Sequence, residues 1–221
     1  MSKKLNPNKI NQVSEIVTDR EELSTYCDEI DPVADEKLVK EIVYNLKKLI
    51  REKDLLYLTA PQIGYSKRVM AINFSGDIRV YINPIIAYPK GLEISREKCN
   101  SLSSEYVCFR AVDITAIYST EKGKVESVQM VGVSAKVYQH ALDHLGGLLL
   151  SDFAIEIDED FDKLSEDEKA ELYRDYSAEI EKACGNIDRL KKEDVGFKKT
   201  YDAIDFLAKL QTGEVKLKKG E

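Results

Sequence analysis

Between Asp35 and about Lys53, two interleaved apolar sets recur every three to four positions: Leu38, Ile42, Leu46 and Leu49, and Val39, Val43 and Ile50. That spacing puts them on one side of a helix, and Asp35 and Glu36 at its start suit the positive end of the helix dipole. The pattern breaks at Pro61. Residues 68–74 and 78–82 then read as two strands, with Ser75-Gly76-Asp77 as the turn and Asn83-Pro84 closing the second. Residues 113–118 and 124–131 read as another hairpin, turning near Lys122-Gly123. After Gly132 the helical period returns, from about Ser134 to Leu145. Helix, strand pairs and helix, with no repeated βαβ unit, predict an α+β fold.

The flanks differ from this centre. Residues 1–33 are polar and weakly patterned, an N-terminal arm with room for one short helix. The main domain is expected over 34–153 and a helical C-terminal extension over 154–221. That extension opens with an acidic run, Glu156 to Asp162, followed by the capping box Ser165-Glu166-Asp167-Glu168. Leu172, Tyr176, Ile180, Ala183 and Ile187 form a stripe at helical spacing, suited either to packing on the parent domain or to a protein partner.

Composition narrows the function. The net charge of −7 argues against a nucleic-acid surface, which needs a basic excess. No run approaches the roughly 20 apolar residues of a membrane span. The four cysteines, Cys27, Cys99, Cys108 and Cys184, lack the paired spacing of a zinc knuckle or a disulfide scaffold. Met1-Ser2-Lys3-Lys4 leads into polar residues rather than an apolar signal core, so a cytoplasmic protein with reduced thiols is expected.

The chain has only two histidines, His140 and His144. On a helix, positions i and i+4 share a face, so two imidazoles at this spacing can grip one metal ion. The position after the first histidine is where His-Glu-x-x-His hydrolases carry their base; here it is Ala141.

Three segments connect these features. They are Tyr57-Leu58-Thr59-Ala60-Pro61-Gln62-Ile63-Gly64, Cys99-Asn100-Ser101-Leu102-Ser103, and His140 through Asp143-His144-Leu145-Gly146-Gly147. In order and separation they resemble the peptide deformylase family, marked by Gly-Leu-x-Ala-x-Gln, Glu-Gly-Cys-Leu-Ser and His-Glu-x-Asp-His-Leu-x-Gly. The resemblance covers about residues 34–153. It implies antiparallel strands around a central helix bearing both histidines, and a divalent metal (iron, nickel or zinc). It also implies a peptide N-terminus as ligand, from whose methionine the formyl group is removed. Carried over by position, His140 and His144 are metal ligands. Gln62 and the Leu102 backbone N–H hold the formyl oxygen, and Asp143 with Arg110 steadies the helix.

The departures weigh as much as the matches. Read this way, Ser101 stands in place of the ligand cysteine, and a neutral hydroxyl makes any metal site weak or vestigial. Cys99, two residues earlier, would lie about 6–7 Å away along an extended strand, and is read as an ordinary buried thiol. Ala141 replaces the catalytic glutamate, a loss of about 10²–10⁴-fold. Tyr57 replaces a glycine beside the substrate path and narrows the pocket. The expectation is a pseudoenzyme, impaired or inactive, that keeps a pocket for formyl-methionyl or similar N-terminal peptides. Two alternatives stay open: an active metal-dependent deformylase with substitute ligand and base, and a structural protein whose pocket Tyr57 fills.

Overall fold

A computed structural model of the chain describes residues 12–158 and 160–175. The N-terminal arm carries a one-turn helix, α1 (Arg20–Leu23), whose Asp19 cap accepts the Glu22 N–H. The helix expected over 35–53 forms as α2 (Glu36–Lys53) and buries Val39, Ile42, Val43, Leu46, Leu49 and Ile50. Asp54 ends it in the left-handed conformation, with its N–H on Ile50 O. The arm is held against α2 by Asn45, whose side-chain oxygen accepts the Val13 N–H at 3.0 Å.

The sheet is antiparallel throughout and runs β1 (Tyr57–Thr59), β2 (Val69–Phe74), β3 (Asp77–Lys98), β4 (Glu105–Ser119) and β5 (Val125–Val131) in that order. A short β6 (Ile155–Ile157) pairs with the start of β4. Because side chains alternate along a strand, β1 and β2 serve two cores at once. Leu58, Val69 and Ala71 pack with α2, while Tyr57, Met70 and Ile72 pack with α3 (Val133–Leu145). The two helices therefore cover opposite faces of the β1–β2 end. This alternation aims Tyr57 at the histidine helix.

Two expectations are corrected. Asn83-Pro84 does not end the strand: β3 continues to Lys98, and the ladder with β4 steps from Ile82↔Ser119 to Ile85↔Ile117. Proline has no N–H for the ladder, and the bulge leaves Asn83 and Pro84 out of the pairing with β4. Asn83 sits at φ 48° and bridges the Ile30 N–H and C=O with its side chain, so the arm holds the bulge. Nor is Cys99–Leu102 extended. It is the turn joining β3 to β4, with the Leu102 N–H on Cys99 O at 3.2 Å.

The stretch expected to be a helical extension from 154 opens instead with β6, which joins the sheet, and its helix starts only after Ser165. Ser165 and Glu168 form their reciprocal cap, and the chain is helical over 166–175, with Leu172 half-buried. Tyr173 meets Phe109 edge-on at 6.4 Å between ring centres, which docks this helix on β4. Tyr176, Ile180, Ala183 and Ile187 lie outside the described residues, as does Cys184. Among the described residues, no helix is long and apolar enough to cross a membrane.

Gly147 closes the end of α3 at φ 74°, and a Cβ there would meet Ser24 O at 2.7 Å and Ser24 C at 2.9 Å. Only glycine lets the arm approach this closely, so Gly147→Ala is expected to destabilise the fold by about 1–3 kcal/mol. The shift of the urea midpoint measures it.

Candidate metal centre

α3 faces the sheet with Ala135, Tyr138, Gln139, His140, Ala141, His144 and Leu145. Gln139 fixes its height: its amide exchanges two hydrogen bonds with the Ala111 backbone, at 2.9 and 2.8 Å. Arg110, 2% exposed, fixes its rotation. It donates two bonds to Glu97 at 2.9 Å each and pairs with Asp143 at 2.7 Å. The Asp143–Arg110 pair expected from the sequence thus exists, and Glu97 extends it. Glu97 also takes His140 Nδ1 at 2.8 Å. That bond leaves His140 Nε2 free to face the rest of the cluster.

At that turn, Cys99 Sγ lies 3.2 Å from His144 Nε2. Cys99, His140 and His144 are all buried, and their donor atoms lie within 4.8 Å of one another. Burial would raise the Cys99 thiol, but hydrogen bonds to His140 and His144 outweigh it and bring the pKa down to about 5. His140 moves the opposite way, to about 9, because its bonds to Cys99 and Glu97 overcome a burial that would lower it. Cys27 and Cys108, with no such partners, are pushed by burial up to about 12. A thiol and two imidazoles, converging and oriented from behind, fit a divalent ion of the zinc or iron class.

Tyr57 completes the cluster. Its hydroxyl lies 2.7 Å from His140 Nε2, and its ring centre is 4.8 Å from that of His140. Gln62 is fully buried, its oxygen accepting from Thr59 N–H and Oγ1 and its amide donating to Ser101 Oγ at 3.2 Å. Ser101 donates in turn to Val17 O at 2.9 Å.

A model of the polypeptide deformylase family matches residues 13–159, well over half the chain. The chain belongs to the peptide deformylase family. Among its relatives, the peptide deformylase of Dictyoglomus thermophilum is 30% identical over 142 residues, covering 61% of this chain and 87% of that protein. That of Desulfitobacterium hafniense is 33% identical over 124 residues, covering 52% and 83%. The crystal structure of the Thermotoga maritima deformylase superposes with a TM-score of 0.59 at 26% identity, over 66% of this chain and 98% of that one. An actinonin-bound class I type b enzyme from Acinetobacter baumannii gives a TM-score of 0.59 at 21% identity over 64% and 98%, a likeness of fold alone.

Against the family pattern, the structure corrects the reading of Ser101. The atom beside the histidines is Cys99 Sγ, while the Ser101 hydroxyl is spent on Gln62 and Val17. The error came from treating 99–102 as extended and anchoring on Leu102-Ser103. Glu97-Lys98-Cys99-Asn100-Ser101 matches the family's Glu, Cys and Ser together, a signal present in the sequence and passed over. Glu97 was missed with it. The same shift corrects Leu102: with Cys99 on the family's cysteine, Asn100 falls on the residue whose backbone N–H serves the formyl oxygen, and the Leu102 N–H is engaged by Cys99 O in the turn. The Gln62 amide donates to Ser101.

Glu97 links the site to stability. Burial would raise its carboxyl, but the Arg110 charge and bonds, with His140, hold it well below the ordinary 4.5. A depressed carboxyl contributes stability that is full above the unfolded value and lost as pH falls through the folded one. In metal-free protein, the difference in urea stability between the unmodified chain and Glu97→Gln should narrow progressively below pH 4.5. A difference that stays constant to strongly acid pH contradicts this assignment.

Proposed function

We propose that this chain is a deformylase-family protein that holds a divalent metal on Cys99, His140 and His144 but has lost most or all hydrolytic turnover. The observation that carries this reading is the Tyr57 hydroxyl, 2.7 Å from His140 Nε2, beside a buried Ala141 where the family carries its base. The loss at position 141 alone accounts for about 10²–10⁴-fold. Among the described residues, the carboxylates nearest the site are already engaged: both Glu97 oxygens are bound by Arg110 and His140, and Asp143 is paired with Arg110. Iron, nickel or zinc are the ions that suit this donor set, and when bound such an ion supplies Lewis-acid polarisation of a carbonyl. Cys99 and both histidines would hold it, Glu97 orients His140, and Arg110 orients Glu97.

The ligand class remains a peptide N-terminus, such as a formyl-methionyl peptide. The actinonin-bound relative supports a pocket on this fold, and Tyr57 competes with any ligand for the same space. A second reading, an active deformylase with an unusual base, is favoured by the complete thiol and imidazole triad.

Hydrolysis of a formyl-methionyl peptide separates the two. Protein purified without oxygen and supplied with ferrous, nickel or zinc ions is expected to show no turnover. The Tyr57→Gly, Ala141→Glu double variant is expected to recover at least about 10²-fold over that background. By calorimetry, actinonin should bind Tyr57→Gly more tightly than the unmodified chain. Turnover by the unmodified protein would overturn the first reading in favour of the second.

A further inference from the structure

We infer that Tyr57 is itself a ligand: its phenol oxygen is the fourth donor of a closed Tyr57–Cys99–His140–His144 site. The inference rests on the proposed metal site and concerns what occupies its remaining position. Strand alternation in β1 sends Tyr57 toward α3 while Leu58 joins the opposite core, so the ring cannot turn away without breaking the register Tyr57↔Ile72. The residue is 5% exposed, and its hydroxyl lies 2.7 Å from His140 Nε2. That nitrogen is the one left for a metal once Glu97 has taken Nδ1.

The hydroxyl's contact is therefore an atom of the donor set, and the other two donors, Cys99 Sγ and the His144 ring, converge on the same buried cluster within 4.8 Å. The Tyr57 ring also lies 6.3 Å, centre to centre, from that of His144. Donors around a tetrahedral ion sit roughly 3.3 Å apart when the bonds are ~2.0 Å. The Tyr57–His140 contact has to widen by only about 0.6 Å to meet that spacing.

The consequence is a change of site type. Catalytic sites of this class keep three protein ligands and an open position, whereas structural sites are closed by a fourth. Tyr57 would fill the open position, exclude water and substrate from the ion, and convert a catalytic centre into one that contributes to folding.

The test uses metal-free full-length chain loaded with one equivalent of cobalt(II), whose visible spectrum reports coordination. Thiocyanate added to the unmodified protein should leave that spectrum unchanged. Added to Tyr57→Phe, which keeps the ring and its packing, it should shift the spectrum by entering the vacated position. Zinc affinity, measured against a chromophoric chelator, should fall at least about tenfold in Tyr57→Phe. One reading needs no variant: stoichiometric zinc should produce the ultraviolet difference spectrum of a single ionised tyrosine in the unmodified chain. Cobalt bound, but with the unmodified spectrum shifted by thiocyanate, overturns the fourth-ligand assignment and leaves the three-residue site standing. Failure of the unmodified chain to bind cobalt or zinc at all overturns both.

Discussion

The buried guanidinium of Arg110 is the constraint on which the site depends. A charge taken out of water is costly unless nearby opposite charges and hydrogen bonds compensate it. Here the compensation comes from β3 through Glu97 and from α3 through Asp143, while Phe153 lies under the guanidinium at 5.5 Å. The side chain therefore locks β3, β4 and α3 into one arrangement. The second Glu97 oxygen carries the lock on to His140, so the same network that settles the helix also sets which imidazole nitrogen faces Cys99. A neutral residue at 110 would leave two carboxylates facing each other across the gap, and the histidines would lose their orientation with them.

On this frame, two differences from the family's motifs, Ala141 and Tyr57, fall in the site itself. Ala141 on α3 and Tyr57 on β1 belong to the same buried cluster. Shortening a buried side chain leaves space whose lining loses contacts, and a larger ring in the same cluster is the kind of change that offsets such a loss. The family scaffold and the groups behind the candidate ligands, Glu97, Arg110 and Asp143, are present, while alanine stands at the position where the family carries its base.

Sequence pattern exposed the parts of this structure that repeat regularly. α2, β2 and α3 have clean periods, and His140 and His144 declare their common face. The long β3–β4 hairpin was hidden because Asn83-Pro84 imitates a strand end; only the tertiary grip of Asn83 on Ile30 reveals a bulge. Cys99 was hidden by a different cause. Whether residues 99 and 101 are alternatives for one position depends on whether the chain is extended or turned there, and that is decided by Leu102 bonding back to Cys99 O. Glu97 is legible only through the same shift, as the glutamate two residues before the cysteine; its physical role comes from Arg110, 13 residues away on the next strand.

The opposed shifts at Cys99 and His140 have one electrostatic origin. A thiol, a carboxylate and a second carboxylate behind Arg110 surround the two imidazoles, and together they favour a positive charge between Cys99 and Glu97. A proton on His140 meets that demand, which is why its pKa rises to about 9 while the thiol falls to about 5. A divalent ion meets the same demand from the other side of the ring, and must displace that proton to use Nε2. Replacing the family's glutamate by Ala141 removes one negative charge from beside such an ion. On the fourth-ligand inference, Tyr57 brings to the same buried cluster a phenol that would become anionic when a metal takes its oxygen. The two departures from the family would then be a single exchange, in which an anion that moves protons is replaced by one that holds the ion.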